Sequence, residues 1–212
     1  MNPLSIGFLG IGVLLLLLFS RMPIGFVMGL VGFLGFSCIR GVGPGFALLD
    51  VMPYRTAASY VLCTLPMFIL MGQFAFHSEM SGELYDAMRN WLGRLPGGLA
   101  MATIGGCAAF AATSGSSSAT AATMGMVAYP QMRRYNYATT LATGSIASGG
   151  TLGILIPPSM GFILYGVVTE ESIGNLFIAG ILPGLLLTAL FLLTAFVVTR
   201  VQPSLGPPAP TT

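Results

Sequence analysis

Two long apolar segments of this chain are interrupted by short stretches rich in serine, threonine and glycine. The first interruption is residues 113–118, with the sequence TSGSSS, and the second is residues 148–153, with the sequence SGGTLG. Non-helical backbone persists at membrane depth only where protein or a water-filled cavity surrounds it, because lipid offers no hydrogen-bond partners. Both interruptions are therefore candidate sites, since they offer hydroxyl oxygens, carbonyl oxygens and helix amino termini.

The composition indicates an integral membrane protein. Apolar residues make up 55% of the chain and charged residues 7%, with a mean hydropathy of +0.88, whereas soluble domains average about 25% charged residues. The charged residues, eight arginines and six acids, form no basic patch that would suggest a nucleic-acid partner. Cys38, Cys63 and Cys107 lie in apolar segments without metal-ligand spacing, so we expect them to pack as small buried hydrophobes.

Residues 1–76 are predicted to form three scaffold-type transmembrane helices. The apolar runs that predict them are 4–20, 24–39 and 59–76. Each run is near the lower limit of the about 17–25 residues that cross a bilayer. Residues 40–58, which are rich in glycine and proline, are predicted to be a loop.

The remaining boundaries follow from changes in polarity. Residues 77–98 are amphipathic and predict a helix along the membrane interface. Residues 99–168 hold the two interrupted elements, and residues 169–200 hold the last transmembrane helix. Residues 201–212 carry four prolines and predict a tail or linker.

The length of the first interrupted element predicts a re-entrant helical hairpin. Each arm holds about 15 residues, which reach about 22 Å as helix, whereas the hydrocarbon core is about 30 Å thick. The tip would then be residues 114–118. The second element predicts a helix broken at residues 149–153, because Gly149 and Gly150 permit backbone angles that other residues avoid. Early in its second half, Pro157 and Pro158 lack N–H donors and leave carbonyls upstream without helical partners.

The arginines predict an orientation. If the hairpin opens to the cytoplasm, six arginines lie inside and only Arg40 and Arg55 lie outside, which satisfies the positive-inside rule. The amino terminus of this multi-pass chain would then be periplasmic.

Several motifs together resemble one transporter family. They are LPMFILMG at 65–72, SGSS at 114–117, PQM at 130–132 and GGTLGILIPPS at 149–159. In this order they resemble the large membrane (permease) subunit of tripartite ATP-independent periplasmic (TRAP) transporters, and the resemblance runs over residues 3–200.

The resemblance implies an all-α, elevator-type secondary transporter of the bacterial inner membrane, of which this chain is the amino-terminal one of two inverted repeats. It implies sodium-driven uptake of organic acids of the C4-dicarboxylate, keto acid or sialic acid class, with transported Na+ and no cofactor. The implied partners are a small four-helix membrane subunit, a periplasmic substrate-binding protein, the second repeat of the large subunit and the lipid bilayer.

By this resemblance, the hairpin tip and the broken helix form one sodium site and one wall of the substrate cavity. Sodium also suits the residues better than a proton does, because the apolar segments carry no carboxylate or histidine that could relay one. The predicted sodium ligands are Ser114, Gly115, Ser116, Ser117, Gly149, Thr151 and Gly153. The predicted substrate-binding residues are Ser116, Ser117, Ser118, Thr120, Pro157 and Ser159.

Other interpretations remain open at this point. Because only one repeat is present, the chain could be a truncated membrane scaffold that binds partner subunits without transporting by itself. The clustered hydroxyls could simply bond back to their own helical turns. An intramembrane serine hydrolase is a more distant alternative, because its nucleophile needs a neighbouring base and the apolar segments contain none.

Overall fold

The structure, a computed structural model, describes residues 3–78 and 80–207, and it holds helices and no strand within those ranges. The helices are α1 (Pro3–Phe19), α2 (Ile24–Arg40), α3 (Val42–Ala57), α4 (Tyr60–His77), α5 (Met80–Leu92), α6 (Gly98–Ser114), α7 (Ser117–Arg134), α8 (Thr139–Leu155), α9 (Met160–Thr169) and α10 (Ile173–Val201), followed by a 3₁₀ turn, Pro203–Leu205. They divide into two compact units, Met1–Leu62 and Cys63–Thr212.

Two segments of the described chain are long and apolar enough to cross a membrane. They are Thr139–Thr169 and Ile173–Val201, and shorter apolar helices span Leu4–Phe19, Ile24–Arg40 and Gly98–Ser114. This all-helical architecture with apolar spans is consistent with the predicted membrane fold. The re-entrant course of the hairpin and the elevator architecture stay predictions.

In the first unit, the prediction of a loop at residues 40–58 is wrong, because most of this stretch forms α3. Gly41 joins α2 directly to α3 with a φ of +98°, a conformation that glycine adopts readily. Pro44 lies in the first turn of α3, where a missing N–H removes no intrahelical bond. The rings of Phe33 and Phe46 then pack across the two helices, 5.4 Å apart. Glycine and proline therefore mark a helix start here.

In the second unit, the predicted amphipathic segment contains α5. One face of this helix is buried, with Tyr85 only 1% exposed, whereas Trp91 on another face is 80% exposed. Met88 packs against the buried cluster that Tyr85 forms with Ala102 of α6 and Ala128 of α7. The location of α5 at a membrane interface stays a prediction.

Helices α6 and α7 form an antiparallel pair whose open end is held by Tyr137. The Leu99 N–H, at the start of α6, donates a hydrogen bond of 3.2 Å to the Tyr137 hydroxyl oxygen. Burial raises the pKa of Tyr137, so this hydroxyl stays neutral at physiological pH. The Thr103 hydroxyl, which bonds to the Leu99 carbonyl of its own helix at 2.8 Å, also lies 3.5 Å from the Met132 sulfur across the same pair. The first interrupted element is therefore a helical hairpin whose base lies beside Tyr137.

Helix α8 packs closely against both arms of this hairpin. A Cβ atom built on Gly149 would lie 2.7 Å from the Cys107 sulfur of α6. A Cβ atom built on Gly150 would lie 2.7 Å from the Ala121 Cβ of α7. Real Cβ atoms do not approach other carbons so closely, so these glycines allow α8 to sit between α6 and α7.

The residues after α10 also pack against the hairpin base. The Ala138 N–H donates to the Leu205 carbonyl at 2.9 Å, and the Gly97 N–H donates to the Gly206 carbonyl at 3.2 Å. These N–H groups precede α8 and α6, where backbone donors have no intrahelical acceptor. The first part of the predicted tail therefore satisfies two helix starts.

The cysteine prediction is confirmed for one residue and wrong for another. Cys107 is buried, whereas Cys38 is exposed on the surface of α2. The Cys63 side chain and residues 208–212 of the predicted tail lie outside the described residues.

Replacing Gly150 with alanine is expected to destabilise the second unit. The added methyl would meet the Cβ of Ala121 at 2.7 Å and its Cα at 3.3 Å, and such overpacking costs about 1–3 kcal/mol. Gly144→Ala is the matched control on α8, because a Cβ there meets nothing within 4 Å. Thermal unfolding in mild detergent, followed by circular dichroism, measures both. Equal stabilities of the two variants would contradict this packing.

Replacing Thr199 with valine is expected to loosen the hairpin base. The buried Thr199 hydroxyl lies 3.0 Å from the Pro96 carbonyl oxygen, which precedes α6, and 2.8 Å and 3.1 Å from the Ala195 and Phe196 carbonyl oxygens of its own helix, so these three acceptors share its one hydrogen. Losing a bond of this kind costs about 0.5–1.5 kcal/mol. Thr194→Val is the control, since the exposed Thr194 hydroxyl bonds only to the Leu190 carbonyl of its own helix. Hydrogen exchange at the start of α6 should quicken in the first variant and not in the second.

Candidate functional site

The hairpin turns through two residues only. Helix α6 ends at Ser114, and Gly115 follows with a φ of +59°, a left-handed conformation that glycine adopts without a Cβ clash. Ser116 is the N-cap of α7, and its hydroxyl accepts the Ala119 N–H at 3.4 Å. The interruption is therefore narrower than the predicted 113–118, because local capping lets the flanking residues join the helices.

Two predicted site hydroxyls hold this tip together. The Ser114 and Thr120 hydroxyl oxygens are 2.8 Å apart. The Thr120 hydroxyl also lies 2.8 Å from the Ser116 carbonyl oxygen, which accepts the Thr120 N–H at 3.0 Å as well. Both hydroxyls are buried, and Thr120 has no exposed surface. Their hydrogen-bonding capacity is thus largely used within the tip, and direct contact of Thr120 with substrate stays a prediction.

The other tip hydroxyls are more accessible. Ser116 and Ser117 are partly exposed and Ser118 is exposed. The hydroxyls of Ser116 and Ser118 lie 3.2 Å apart, on the first turn of α7. A ligand at the tip therefore meets these three serines before it meets the buried pair.

The second element is discontinuous, but the break lies after the position predicted for it. Helix α8 continues through residues 148–153 and ends at Leu155, and α9 begins at Met160. The four linking residues include Pro157 and Pro158, which lack the N–H donors needed to continue α8. The peptide bond between these prolines is cis. The glycines that suggested the break instead provide space for helix packing.

Ser159 stabilises both ends of this second break. Its hydroxyl donates to the Ile154 carbonyl at 2.6 Å, which Pro158 leaves without a helical N–H partner. The same oxygen accepts the Gly161 N–H at 3.2 Å and so caps α9. Ser159 is fully buried, so contact of its side chain with substrate stays a prediction.

The two breaks meet each other directly. The Met160 N–H at the start of α9 donates to the Gly115 carbonyl of the hairpin tip at 3.3 Å. A Cβ atom built on Gly115 would lie 2.6 Å from the Pro158 carbonyl oxygen, so the two backbones are in contact. Gly153 adjoins the same tip, since its Cβ would lie 2.6 Å from the Ser116 carbonyl oxygen.

The remaining predicted ligands lie on other surfaces of α8. Gly149 contacts the middle of α6 at Cys107. Thr151 is exposed, and its hydroxyl donates to the Ser148 carbonyl of its own helix at 2.6 Å. The structure thus brings Gly153 to the hairpin tip and leaves these two residues apart from it.

A cavity of about 180 Å³ lies beside the hairpin tip. Its lining residues come from α4, the hairpin and the start of α9; they are Ile69, Gly72, Gln73, Phe76, Ser114, Ser116, Ala119 and Met160. Of the predicted site residues, Ser114 and Ser116 line it. Sequence reasoning missed the contribution of α4, although the LPMFILMG motif that ends at Gly72 was a signal for it.

The side chains that line the cavity are uncharged, but the ends of helices beside it carry partial charges. Ser116 and Ala119 belong to the start of α7, and Met160 begins α9. Helix amino termini carry partial positive charge and favour anions. The serine hydroxyls and the backbone carbonyls nearby are oxygen donors of the kind that bind hard cations. The arrangement can therefore accept a small anion and a cation close together.

Comparisons with known proteins identify the family of this chain. The family model described as "Tripartite ATP-independent periplasmic transporter, DctM component" matches residues 11–208. The C4-dicarboxylate TRAP transporter large permease protein DctM of Pseudomonas aeruginosa is 40% identical over 154 residues, which are 73% of this chain and 36% of that protein. An ectoine/5-hydroxyectoine TRAP transporter large permease protein of Ruegeria pomeroyi is 36% identical over 188 residues, 87% of this chain and 43% of that protein.

A 2,3-diketo-L-gulonate TRAP transporter large permease protein of Escherichia coli is 38% identical over 138 residues, 65% of this chain and 32% of that protein. The chain thus spans less than half the length of each of these relatives. The family model nevertheless covers nearly the whole chain. This chain belongs to the DctM family, the large membrane component of the tripartite ATP-independent periplasmic transporters.

Proposed function

We propose that this chain forms one half of the transport site of a sodium-driven importer for organic acids. The observation that carries the proposal is the contact between the two breaks, where the Met160 N–H bonds to the Gly115 carbonyl. Two helix amino termini and several neutral oxygens meet there without a charged side chain in the cavity lining. Neutral oxygens suit Na+, and the helix amino termini suit a carboxylate.

Within this proposal, Na+ binds at the tip of the hairpin. The serines at the start of α7 supply hydroxyls, and the carbonyl of Gly153 is available because Pro157, four residues later, has no N–H. Gly115 forms the turn of the hairpin, and its carbonyl already accepts a hydrogen bond from the Met160 N–H. The predicted ligands Gly149 and Thr151 lie on surfaces of α8 that do not adjoin the tip. They would affect the ion site indirectly, by setting the position of this helix.

The substrate class is a small organic acid, and its binding uses the start of α7. Dicarboxylate, ectoine and diketogulonate appear in the names of relatives, so the family accommodates more than one kind of organic acid. Pro157 would contribute to substrate binding by ending α8 beside the tip. Completing the cavity would require the second repeat of the large subunit. The other proposed partners of the assembly are a small four-helix membrane subunit and a periplasmic substrate-binding protein.

We also propose that the hairpin base faces the cytoplasm of a bacterial inner membrane, with the amino terminus periplasmic. Arg133 and Arg134 end α7 at this base. Arg200 lies in the last turn of α10 at the same base, since neighbouring Thr199 lies within hydrogen-bond distance of the Pro96 carbonyl at the start of the hairpin. Arginines collected at one end support this orientation through the positive-inside rule, and a hairpin opening there would be re-entrant.

Sodium coupling can be tested in proteoliposomes that contain the complete permease with its partner subunits and binding protein. We expect uptake of radiolabelled succinate, 2-oxoglutarate or N-acetylneuraminate when an inward Na+ gradient is imposed, and none with a proton gradient alone. The physical reason is that neutral oxygens can bind Na+ but cannot relay a proton. Uptake that follows the proton gradient and ignores Na+ would sink the proposal.

A single substitution tests the ion site within the same assay. Ser116→Ala is expected to raise the half-saturating Na+ concentration several-fold, because it removes a hydroxyl that lines the cavity. Ser148→Ala is the matched control, since the Ser148 hydroxyl bonds to the Gly144 carbonyl of its own helix at 2.8 Å. Unchanged Na+ dependence in the first variant would remove Ser116 from the proposed ion site.

A further inference from the structure

Helix α4 is in contact with the hairpin tip through Gly72. A Cβ atom built on Gly72 would lie 3.1 Å from the carbonyl oxygen of Ser114, the last residue of α6. Further along α4, Ala75 is buried in a cluster with Cys107 and Phe110 of α6. The absence of a side chain at Gly72 thus allows α4 to approach the tip, and it fixes the location of the residue that follows.

That following residue, Gln73, carries the polar group of α4 in the cavity. The other side chains that α4 contributes to the lining, Ile69 and Phe76, are apolar. Across the cavity are Ser114 and Ser116 of the tip. Within the described residues, hydrogen-bonding groups of the protein satisfy the Ser114 hydroxyl, whereas Gln73 is exposed and its carboxamide has no such partner. A polar group that lines a cavity without a protein partner is available to a ligand.

The chemistry of a carboxamide indicates what that ligand group can be. Its NH2 donates two hydrogen bonds and its oxygen accepts. A neutral donor can bind a carboxylate oxygen without adding a fixed charge to an otherwise uncharged cavity. The amino-terminal turns of α7 and α9 favour an anion at the same place. The NH2 group of the carboxamide is therefore the part that can pair with a carboxylate.

We propose that Gln73 is a specificity-determining residue, whose carboxamide N–H donates to a carboxylate oxygen of the acid bound in the tip cavity. This inference rests on the proposed function for the identity of the substrate as an organic acid. Gly72 acts as a positioning residue, because it sets the distance between α4 and the tip. The polar wall opposite the tip serines is therefore supplied by a helix outside both interrupted elements.

Two substitutions separate this role from that of a Na+ ligand. In the complete permease, Gln73→Leu removes the donor and the oxygen, whereas Gln73→Glu keeps an oxygen but removes the donor and adds negative charge. With succinate, 2-oxoglutarate or N-acetylneuraminate as the transported probe, we expect KM for the acid to rise about 10-fold or more in the first variant and further in the second. The half-saturating Na+ concentration should stay unchanged in the first variant.

Gln202→Leu is the matched control, because it removes a glutamine carboxamide that is exposed after α10 and far in sequence from the cavity lining. It should leave KM for the acid unchanged. A Gln73→Leu variant with unchanged KM overturns the proposal. A variant in which Na+ dependence changes and KM for the acid does not would assign Gln73 to the ion and also overturn it.

A labelling experiment decides the question even if the assembly does not transport. With the three cysteines of this chain and any others in the complete permease replaced by alanine, Gln73→Cys is labelled with a small maleimide in the presence and absence of each acid. We expect the acid that binds to slow labelling at position 73 by several-fold. Phe74→Cys is the control, since this neighbour is 69% exposed and does not line the cavity, and its labelling should be indifferent to the acid.

The uptake and labelling measurements distinguish failure of the proposed function from failure of the proposed role of Gln73. Slowed labelling at position 73 together with uptake that ignores the Na+ gradient would support the role of Gln73 and contradict the proposed sodium coupling. Sodium-dependent uptake combined with acid-independent labelling and an unchanged KM would support the proposed function and overturn the role of Gln73.

Discussion

The second unit depends on satisfying backbone groups where helices end within apolar sequence. A buried N–H or C=O without a partner costs free energy comparable to a lost hydrogen bond, and a chain break creates several. Here the Gly115 carbonyl accepts the Met160 N–H, and the Ser159 hydroxyl bonds to the Ile154 carbonyl. Each break supplies part of what the other lacks. Their contact is thus a requirement of folding as well as the location of the candidate site.

Close packing by glycine makes this contact possible. Gly149 and Gly150 allow α8 to lie between the arms of the hairpin, and Gly153 places the end of α8 beside the Ser116 carbonyl. Because α8 continues without a break through these residues, its last turn has a defined direction when Pro157 ends it. Helix packing therefore sets the position of the second break relative to the tip. A mobile glycine-rich loop in place of this helix would leave that position undefined.

The sequence allowed prediction of features that follow from local chemistry. Arm length predicted a hairpin, the serines at 114–118 located its tip, and Pro157 with Pro158 indicated a broken helix. The errors have a common cause: glycine permits both unusual backbone angles and close packing, and local sequence does not distinguish them. Residues 148–153 were therefore predicted to be a break and are helical. The loop predicted from the glycines and prolines of residues 40–58 failed for a related reason.

The cavity wall formed by α4 shows a second limit of local reasoning. Gly72 and Ser114 are far apart in sequence, and nothing in the pattern around Gly72 reveals which backbone it meets. The same limit applies to the hydroxyls: sequence counts Ser114, Thr120 and Ser159 as equal candidates with Ser116. Hydrogen bonds within the tip and at the start of α9 engage the first three. In the proposed site, the groups left to bind a ligand are therefore the remaining serines, freed backbone groups and the helix that faces them.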